Sequence, residues 1–196
     1  MTWLILSVIL WGLIHSVMAS LTFRAKLRSW LGAGTMRFYR LFFNIFSVIT
    51  LIPILWLAKI LPDSVLYSVS KPWLYLMLFG QALAAIGEII GFFQTDIWAF
   101  AGLRQIIAPH AEGESRLVVK GLYKYMRHPL YTFGLLFIWL TPVMSVNMLV
   151  LYISLTVYII IGAHFEERKL LREFGEDYAV YKENTPMLIP KLWDVF

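Results

Sequence analysis

Residues 130–163 read LYTFGLLFIWLTPVMSVNMLVLYISLTVYIIIGA and hold no charged side chain. About a quarter of the residues of an ordinary soluble domain are charged, so an uncharged run of this length belongs in lipid. As one helix it would be about 50 Å long, well beyond the roughly 30 Å of a bilayer's hydrocarbon core. Thr141-Pro142 and Ser145-Val146-Asn147 interrupt it near the middle. The stretch therefore predicts two antiparallel helices, the first of them short, joined by a tight turn at Met144 to Asn147.

The rest of the chain has the same character. Of its 196 residues, 60% are hydrophobic and 15% charged, with a mean hydropathy of +0.71. Three more apolar runs reach the length of a span, from about Thr2 to Phe23, Leu41 to Leu61 and Trp73 to Phe93. The first lacks a basic leader and a small-residue cleavage site, and reads as a retained helix rather than a signal peptide. A basic linker follows it. Pro62, Asp63 and Lys71-Pro72 punctuate the next connection. A long polar stretch covers Gln94 to Arg127, with Gly102, Pro109 and the charged run Glu112 to Arg116, and a charged, amphipathic tail runs from His164 to Phe196, expected to begin as a continuation of the fifth helix.

The fold expected is an all-α integral membrane protein, a five-transmembrane-helix bundle forming a single membrane domain over residues 1–196. Three helices occupy residues 1–93, and residues 94–196 supply a loop, a helical hairpin of the fourth and fifth helices, and a cytoplasmic cofactor pocket. Fifteen of the 17 basic residues fall in the linker (Arg24, Lys26, Arg28, Arg37, Arg40), the long loop (Arg104, Arg116, Lys120, Lys124, Arg127) and the tail (Arg168, Lys169, Arg172, Lys182, Lys191). All three segments share one side of such a bundle, so the positive-inside rule puts the N-terminus outside and the C-terminus in the cytoplasm. The net charge of +5 is explained by that bias, without nucleic acid. The absence of cysteine excludes disulfides, thiolate metal sites, iron–sulfur clusters and a cysteine nucleophile, and no metal is expected.

Two segments carry chemistry. In Arg127-His128-Pro129-Leu130-Tyr131, proline suits the first turn of a helix, where its missing N–H is not needed. Arg127 and His128 then sit at a helix mouth, where free N–H groups and the dipole favour an anion and Arg127 can grip a carboxylate bidentately. Tyr123 and Tyr131 add aromatic faces and hydroxyls, although Arg, His and Tyr also gather at membrane interfaces for solubility alone. Glu166 and Glu167 lie where the fifth helix leaves the membrane; they can hold ribose hydroxyls or an ammonium, or pair along their own helix. A hairpin brings both segments to one side. A sulfonium ligand fits such a pocket, with its cation on aromatic faces, its carboxylate on Arg127 and its ribose on an acid.

The segment from about Leu117 to Pro190 resembles the isoprenylcysteine carboxyl methyltransferase and phospholipid methyltransferase superfamily. The shared features are Arg127 to Tyr131, Glu166 to Leu170 and Phe174 to Tyr181. The resemblance implies S-adenosyl-L-methionine as cofactor, held by Leu117, Val118, Gly121, Tyr123, Arg127, His128, Pro129, Tyr131, Glu166 and Glu167. His15 to Ala19, Phe100 to Gln105 and Thr185 to Pro190 look like the bacterial methanethiol S-methyltransferase branch, with NnrU-like membrane proteins as neighbours. In that branch an Asp, a bulky apolar residue and a Phe precede the Gly, whereas Asp96 to Gly102 is spaced differently here. The branch implies methyl transfer to a small thiol or related hydrophobic acceptor in a bacterial cytoplasmic membrane. Arg104, Arg127 and His128 are the catalytic candidates, and His15, Arg104 and Gln105 the substrate-side ones.

Three other readings stay open: the same cofactor acting on a lipid amine or prenylcysteine carboxylate; a haem-binding isomerase or electron-transfer membrane protein, as the NnrU-like resemblance implies, using His15 with His128 or His164; and a structural or partner-binding membrane protein. His15, inside the first helix, also suits a helix–helix hydrogen bond. Glu88 is expected to pair with a basic residue of the Arg24 to Arg40 linker, the other option being to face the pocket. Asn44 and Gln81 are expected to cross-link helices.

Overall fold

The computed structural model describes residues 2–107 and 117–190. Pro109, the run Glu112 to Arg116 and Lys191 lie outside the described residues. In chain order the elements are α1 (Thr2–Ala19), α2 (Leu21–Leu31), α3 (Ala33–Met36), α4 (Tyr39–Ile60), β1 (Val65–Ser68), α5 (Trp73–Phe93), α6 (Ile97–Ala101), α7 (Arg104–Ile107), a 3-10 turn (Gly121–Lys124), α8 (Pro129–Trp139), β2 (Val143–Ser145), α9 (Val146–Phe174) and α10 (Glu176–Asn184).

Four of these helices, α1, α4, α5 and α9, are long and apolar enough to cross a membrane, and the chain is an integral membrane protein. Leu6 and Leu13 on α1, Val48 and Ile52 on α4, and Phe79 and Ile86 on α5 are all exposed. Apolar surface of that extent is foreign to a soluble monomer and matches acyl chains. The fourth expected span is shorter than a crossing helix: α8 has 11 residues and rises about 16 Å. Proline ends it. Pro142 offers no N–H and biases Thr141 away from helical geometry. The expected tight turn at Met144 to Asn147 is instead a strand running directly into α9: β2 pairs antiparallel with β1, Val65 opposite Ser145 and Ser68 opposite Val143. The basic linker is itself helical, as α2 and α3.

The chain gathers into two compact units interleaved along the sequence. The first takes residues 1–64, 96–115 and 146–155. Its core is Leu4 and Val8 of α1, Ile54 and Ala58 of α4, and Leu151. Trp11 Nε1 donates to Thr50 Oγ1 at 3.0 Å, and His15 Nδ1 lies 2.9 Å from Ser47 Oγ. A helix end leaves four carbonyls without intrahelical donors. At the end of α4, buried Asn147 supplies donors: its Nδ2 lies 3.2–3.3 Å from the Ala58 carbonyl of the helix and from those of Leu61 and Pro62 just beyond it. Asn44 Nδ2 donates to the Phe100 carbonyl at 2.9 Å, tying α4 to α6.

The second unit takes residues 65–95, 116–145 and 156–196. Here α5 and α8 run antiparallel. Gly87 makes their close approach possible, since a Cβ there would stand 2.5 Å from the Phe133 ring. Gln81 Nε2 donates to the Phe137 carbonyl at 2.9 Å, cross-linking the two helices. Trp139 Nε1 to Thr156 Oγ1 (3.0 Å) and Tyr131 Oη to Glu166 Oε2 (2.7 Å) tie the two ends of α8 to α9 in antiparallel register. Because α9 continues unbroken to Phe174, Glu166 and Glu167 lie about two turns inside it and are free of the unfavourable dipole at its end.

Candidate functional site

The site grows from the helix mouth. Pro129 is the first residue of α8 and His128 its N-cap. Nothing local satisfies the N–H groups before a helix. The C-terminal segment does so: Arg127 N–H donates to the Pro186 carbonyl at 2.9 Å, and His128 N–H to the Met187 carbonyl at 3.1 Å. Thr132 Oγ1 reaches the Leu188 carbonyl at 2.7 Å, and Tyr181 Oη the Tyr123 carbonyl at 2.5 Å. Residues 181–188 are thus stitched across the start of α8 and the 3-10 turn.

Arg127 is the hub. Its side chain is 9% exposed and that of Glu167 is 3% exposed. Nε and Nη2 both lie 2.6 Å from Glu167 Oε1, while Nη1 donates to the carbonyls of Lys182 (2.9 Å) and Thr185. Lys182 Nζ meets the other Glu167 oxygen at 2.9 Å. The grip expected of Arg127 on a ligand carboxylate is therefore taken by Glu167 and by the tail carbonyls, and the guanidinium braces the fold. The physical reason is burial: a carboxylate as enclosed as Glu167 needs a charge-matched, hydrogen-bonding partner to stay ionised.

His128 is 6% exposed and stacks on Tyr131, ring centroids 5.2 Å apart at 9°. Its Nδ1 is 3.7 Å from Glu166 Oε2 and its Nε2 3.4 Å from Glu167 Oε1, both longer than a normal hydrogen bond. Burial lowers the His128 pKa below the ordinary imidazole value, outweighing Glu166 and Glu167, which favour its charged form. Between the lowered folded value and the unfolded value near 6.5, the unfolded chain binds a proton that the folded chain does not. Stability is thus complete above about pH 6.5 and falls as the pH drops through the folded value. Thermal melts across this range should show a smaller acid-side loss in His128→Gln than in the parent; equal losses would contradict the assignment.

Tyr123 is pushed up to about 12, first by burial and then by Glu166 and Glu88, and Tyr178 also to about 12, by burial and then by Glu167. Both stay protonated at any physiological pH.

In the same unit an open cavity of about 310 Å³ is lined by Leu117, Val118, Val119, Lys120, Gly121 and Gln94. Leu117, Val118 and Gly121 are expected cofactor residues; Gln94 is not among them. Gln94 Oε1 accepts from Leu122 N–H at 2.8 Å and shapes the loop. Gly121 has φ +62°, and a Cβ there would collide with the Gln94 amide. Gly121→Ala should cost about 1–3 kcal/mol through left-handed strain and this collision. Gly162→Ala, on α9 with nothing within 4 Å, should be neutral or better. Thermal unfolding of both variants checks the contrast.

The remaining candidates belong to the first unit. His15 lies between Trp11 and Phe43, ring centroids 4.8 and 4.4 Å away, in the α1–α4 contact. Arg104 pairs with Asp96, and Gln105 Nε2 donates to the Ala99 carbonyl at 3.3 Å. His164, in the second unit, is exposed and turns Nδ1 onto the Ile160 carbonyl of its own helix at 2.7 Å. The structure thus brings together Tyr123, Arg127, His128, Tyr131, Glu166 and Glu167, with Pro129 buried at the start of α8. The residues missed from sequence are Gln94, Thr132, Lys182 and the Thr185 to Leu188 carbonyls; only the Thr185-Pro186 motif hinted at the last of these.

Methanethiol S-methyltransferase 1 of Bradyrhizobium diazoefficiens is 32% identical over 183 residues, covering 90% of this chain and 62% of that protein. Methanethiol S-methyltransferase of Crocosphaera subtropica is 31% identical over 191 residues, 92% of this chain and 71% of that protein. The enzyme of the same name from Pseudomonas deceptionensis is 46% identical over 71 residues, 36% of this chain and 27% of its own. The chain thus spans 62% of the length of the first of these relatives. No solved structure matches it. The haem-binding, NnrU-like alternative finds no support here. The phospholipid methyltransferase family model matches residues 75–177, more than half of the chain and nearly all of the segment from α5 through α9 that builds the site; the chain belongs to the phospholipid methyltransferase family.

Proposed function

We propose that this protein is an S-adenosylmethionine-dependent methyltransferase acting on a small, methanethiol-like thiol. The observation that carries the reading is that one compact unit holds both an open cavity, walled by Leu117 to Gly121 and Gln94, and a cluster of carboxylates and tyrosines locked to the tail through Arg127. The apolar walls suit a nucleoside base, and half-exposed Glu166, with the Tyr131 hydroxyl on it, suits ribose or ammonium groups. S-adenosylmethionine would supply an electrophilic methyl group, and the reaction would convert R–SH to R–S–CH3 with loss of one proton.

The chain's own residues contribute order rather than covalent chemistry. Arg127 and His128 act as positioning residues: the first holds Glu167 and the tail, the second stacks Tyr131 against Glu166. Pro129 fixes the start of α8. Holding reactants in line and away from water is the main requirement of such a transfer. The reading rests on the second unit, and the acceptor roles expected for His15, Arg104 and Gln105 form no part of it.

The helical hairpin follows the α8–α9 register, and the bundle crosses the bilayer five times. The crossing begun by α8 is completed by residues 140–145, of which Val143 to Ser145 are paired with β1. The N-terminus lies outside and the C-terminus in the cytoplasm of a bacterial inner membrane, following the basic residues. Purified protein incubated with labelled S-adenosylmethionine and a panel of thiols, prenylcysteines and lipid amines should methylate the small thiols. Transfer confined to lipid amines or prenylcysteines, or none at all, would overturn the proposal.

A further inference from the structure

One carboxylate in the membrane-crossing part of the second unit is used by none of these contacts. Glu88 lies on α5, five residues before its end at Phe93 and so about 7 Å inside the helix. Its Oε2 is buried with no hydrogen-bond partner among the described residues. No lysine, arginine or histidine of the second unit pairs with it among the described residues. Across from it α8 presents Gly134, where even an added Cβ would stay 3.6–3.7 Å from the two oxygens. Gly91, less than a turn further along α5, meets Leu122 of the 3-10 turn and Leu130 of α8, so Glu88 lies within about one turn of the segment that carries Tyr123.

The acids of the cluster are provided for. Glu167 is met by Arg127 and Lys182, and Glu166 accepts from Tyr131. A carboxylate kept within a membrane bundle without a donor is costly, and that cost marks a ligand-facing group. The missing complement is a cation that needs no hydrogen bonds. An ammonium carries three strong donors and belongs at the polar rim, near Glu166. A sulfonium has no donor at all; it is satisfied by a negative charge and by aromatic faces, and it must sit deep enough to meet an apolar acceptor.

We propose that Glu88 is the counter-charge for the sulfonium of S-adenosylmethionine, and so the residue that distinguishes the methyl-charged ligand from its neutral thioether product. The inference rests on the adenosylmethionine reading above and adds to it a means of product release: once the methyl has left, the positive charge that Glu88 attracts is gone.

Calorimetry in detergent with S-adenosylmethionine and S-adenosylhomocysteine tests this on the parent protein, Glu88→Gln and Glu88→Asp. The charge-free variant should bind the sulfonium about tenfold or more weakly while thioether binding stays within about twofold. Glu88→Asp should retain part of the preference. Glu88→Gln should also melt no lower than the parent, because it removes an unpaired, half-buried carboxylate. An equal loss for both ligands, or an unchanged preference, would overturn the role of Glu88 while leaving the cofactor reading intact. A parent protein that binds neither ligand would overturn the cofactor reading and this inference with it.

Discussion

Arg127→Ala is expected to destabilise the second unit by about 3–5 kcal/mol, the range seen when one partner of a buried ion pair is removed. Three losses coincide. Glu167, 3% exposed, keeps only the half-exposed Lys182 as counter-charge. The carbonyls of Lys182 and Thr185 lose their donor. The tail loses its side-chain hook to the mouth of α8, so binding of S-adenosylmethionine should fall by about two orders of magnitude or more. Arg127→Lys should recover little, because an ammonium cannot reproduce a planar fork directed at a carboxylate and two carbonyls. The double variant Arg127→Leu/Glu167→Leu should regain much of the stability, since the buried acid is no longer stranded, but not the binding. Denaturation of the three variants alongside calorimetry separates these effects. A single Arg127→Ala variant with parental melting would show that the hub is not structural.

Tyr178 should give the second large effect, with an opposite result for its two simplest replacements. The residue is 1% exposed and packs edge-on against Tyr181, ring centroids 5.9 Å apart. Tyr178→Ala leaves a ring-sized cavity under α10 and should cost about 3–5 kcal/mol. Tyr178→Phe keeps the ring and removes a buried hydroxyl that makes no well-aligned hydrogen bond among the described residues, the Arg127 side chain being its polar neighbour. That change should be neutral or slightly stabilising, because a buried polar group without a well-aligned hydrogen bond costs more than it returns. Thermal unfolding of both variants is the measurement; a Tyr178→Phe loss as large as the alanine loss would mean that the hydroxyl holds the tail.

The contrast between these two tyrosine variants illustrates where sequence reading stops. Tyr178 and Tyr181 stand out in a motif, yet the motif does not say that one hydroxyl makes no well-aligned hydrogen bond among the described residues and the other donates to the Tyr123 carbonyl. Arg127 is a similar case. Its type and place at a helix mouth suggested a ligand carboxylate, and a protein carboxylate forty positions away occupies it. Glu88 is the reverse: its place inside an apolar helix left open whether it pairs or faces the pocket, and its Oε2 is buried with no hydrogen-bond partner among the described residues. Gln94 had no signal in the sequence at all, because its importance comes from the positive φ of Gly121 meeting its amide.

What the amino-acid order determined by itself is the membrane character, the approximate ends of α1, α4 and α5, the break at Thr141-Pro142 and the kinds of residue gathered at the mouth of α8. These follow from local or compositional physics: a bilayer demands about 20 apolar residues per helix, and proline stops a helix wherever it stands. Only the tertiary structure decided that α8 is a short helix continued by a strand, that residues 181–188 stitch the site together, and which acid each cation meets. Those pairings join residues far apart in the chain, and a buried charge takes whichever partner the packing brings within about 3 Å, which no spacing along the sequence specifies.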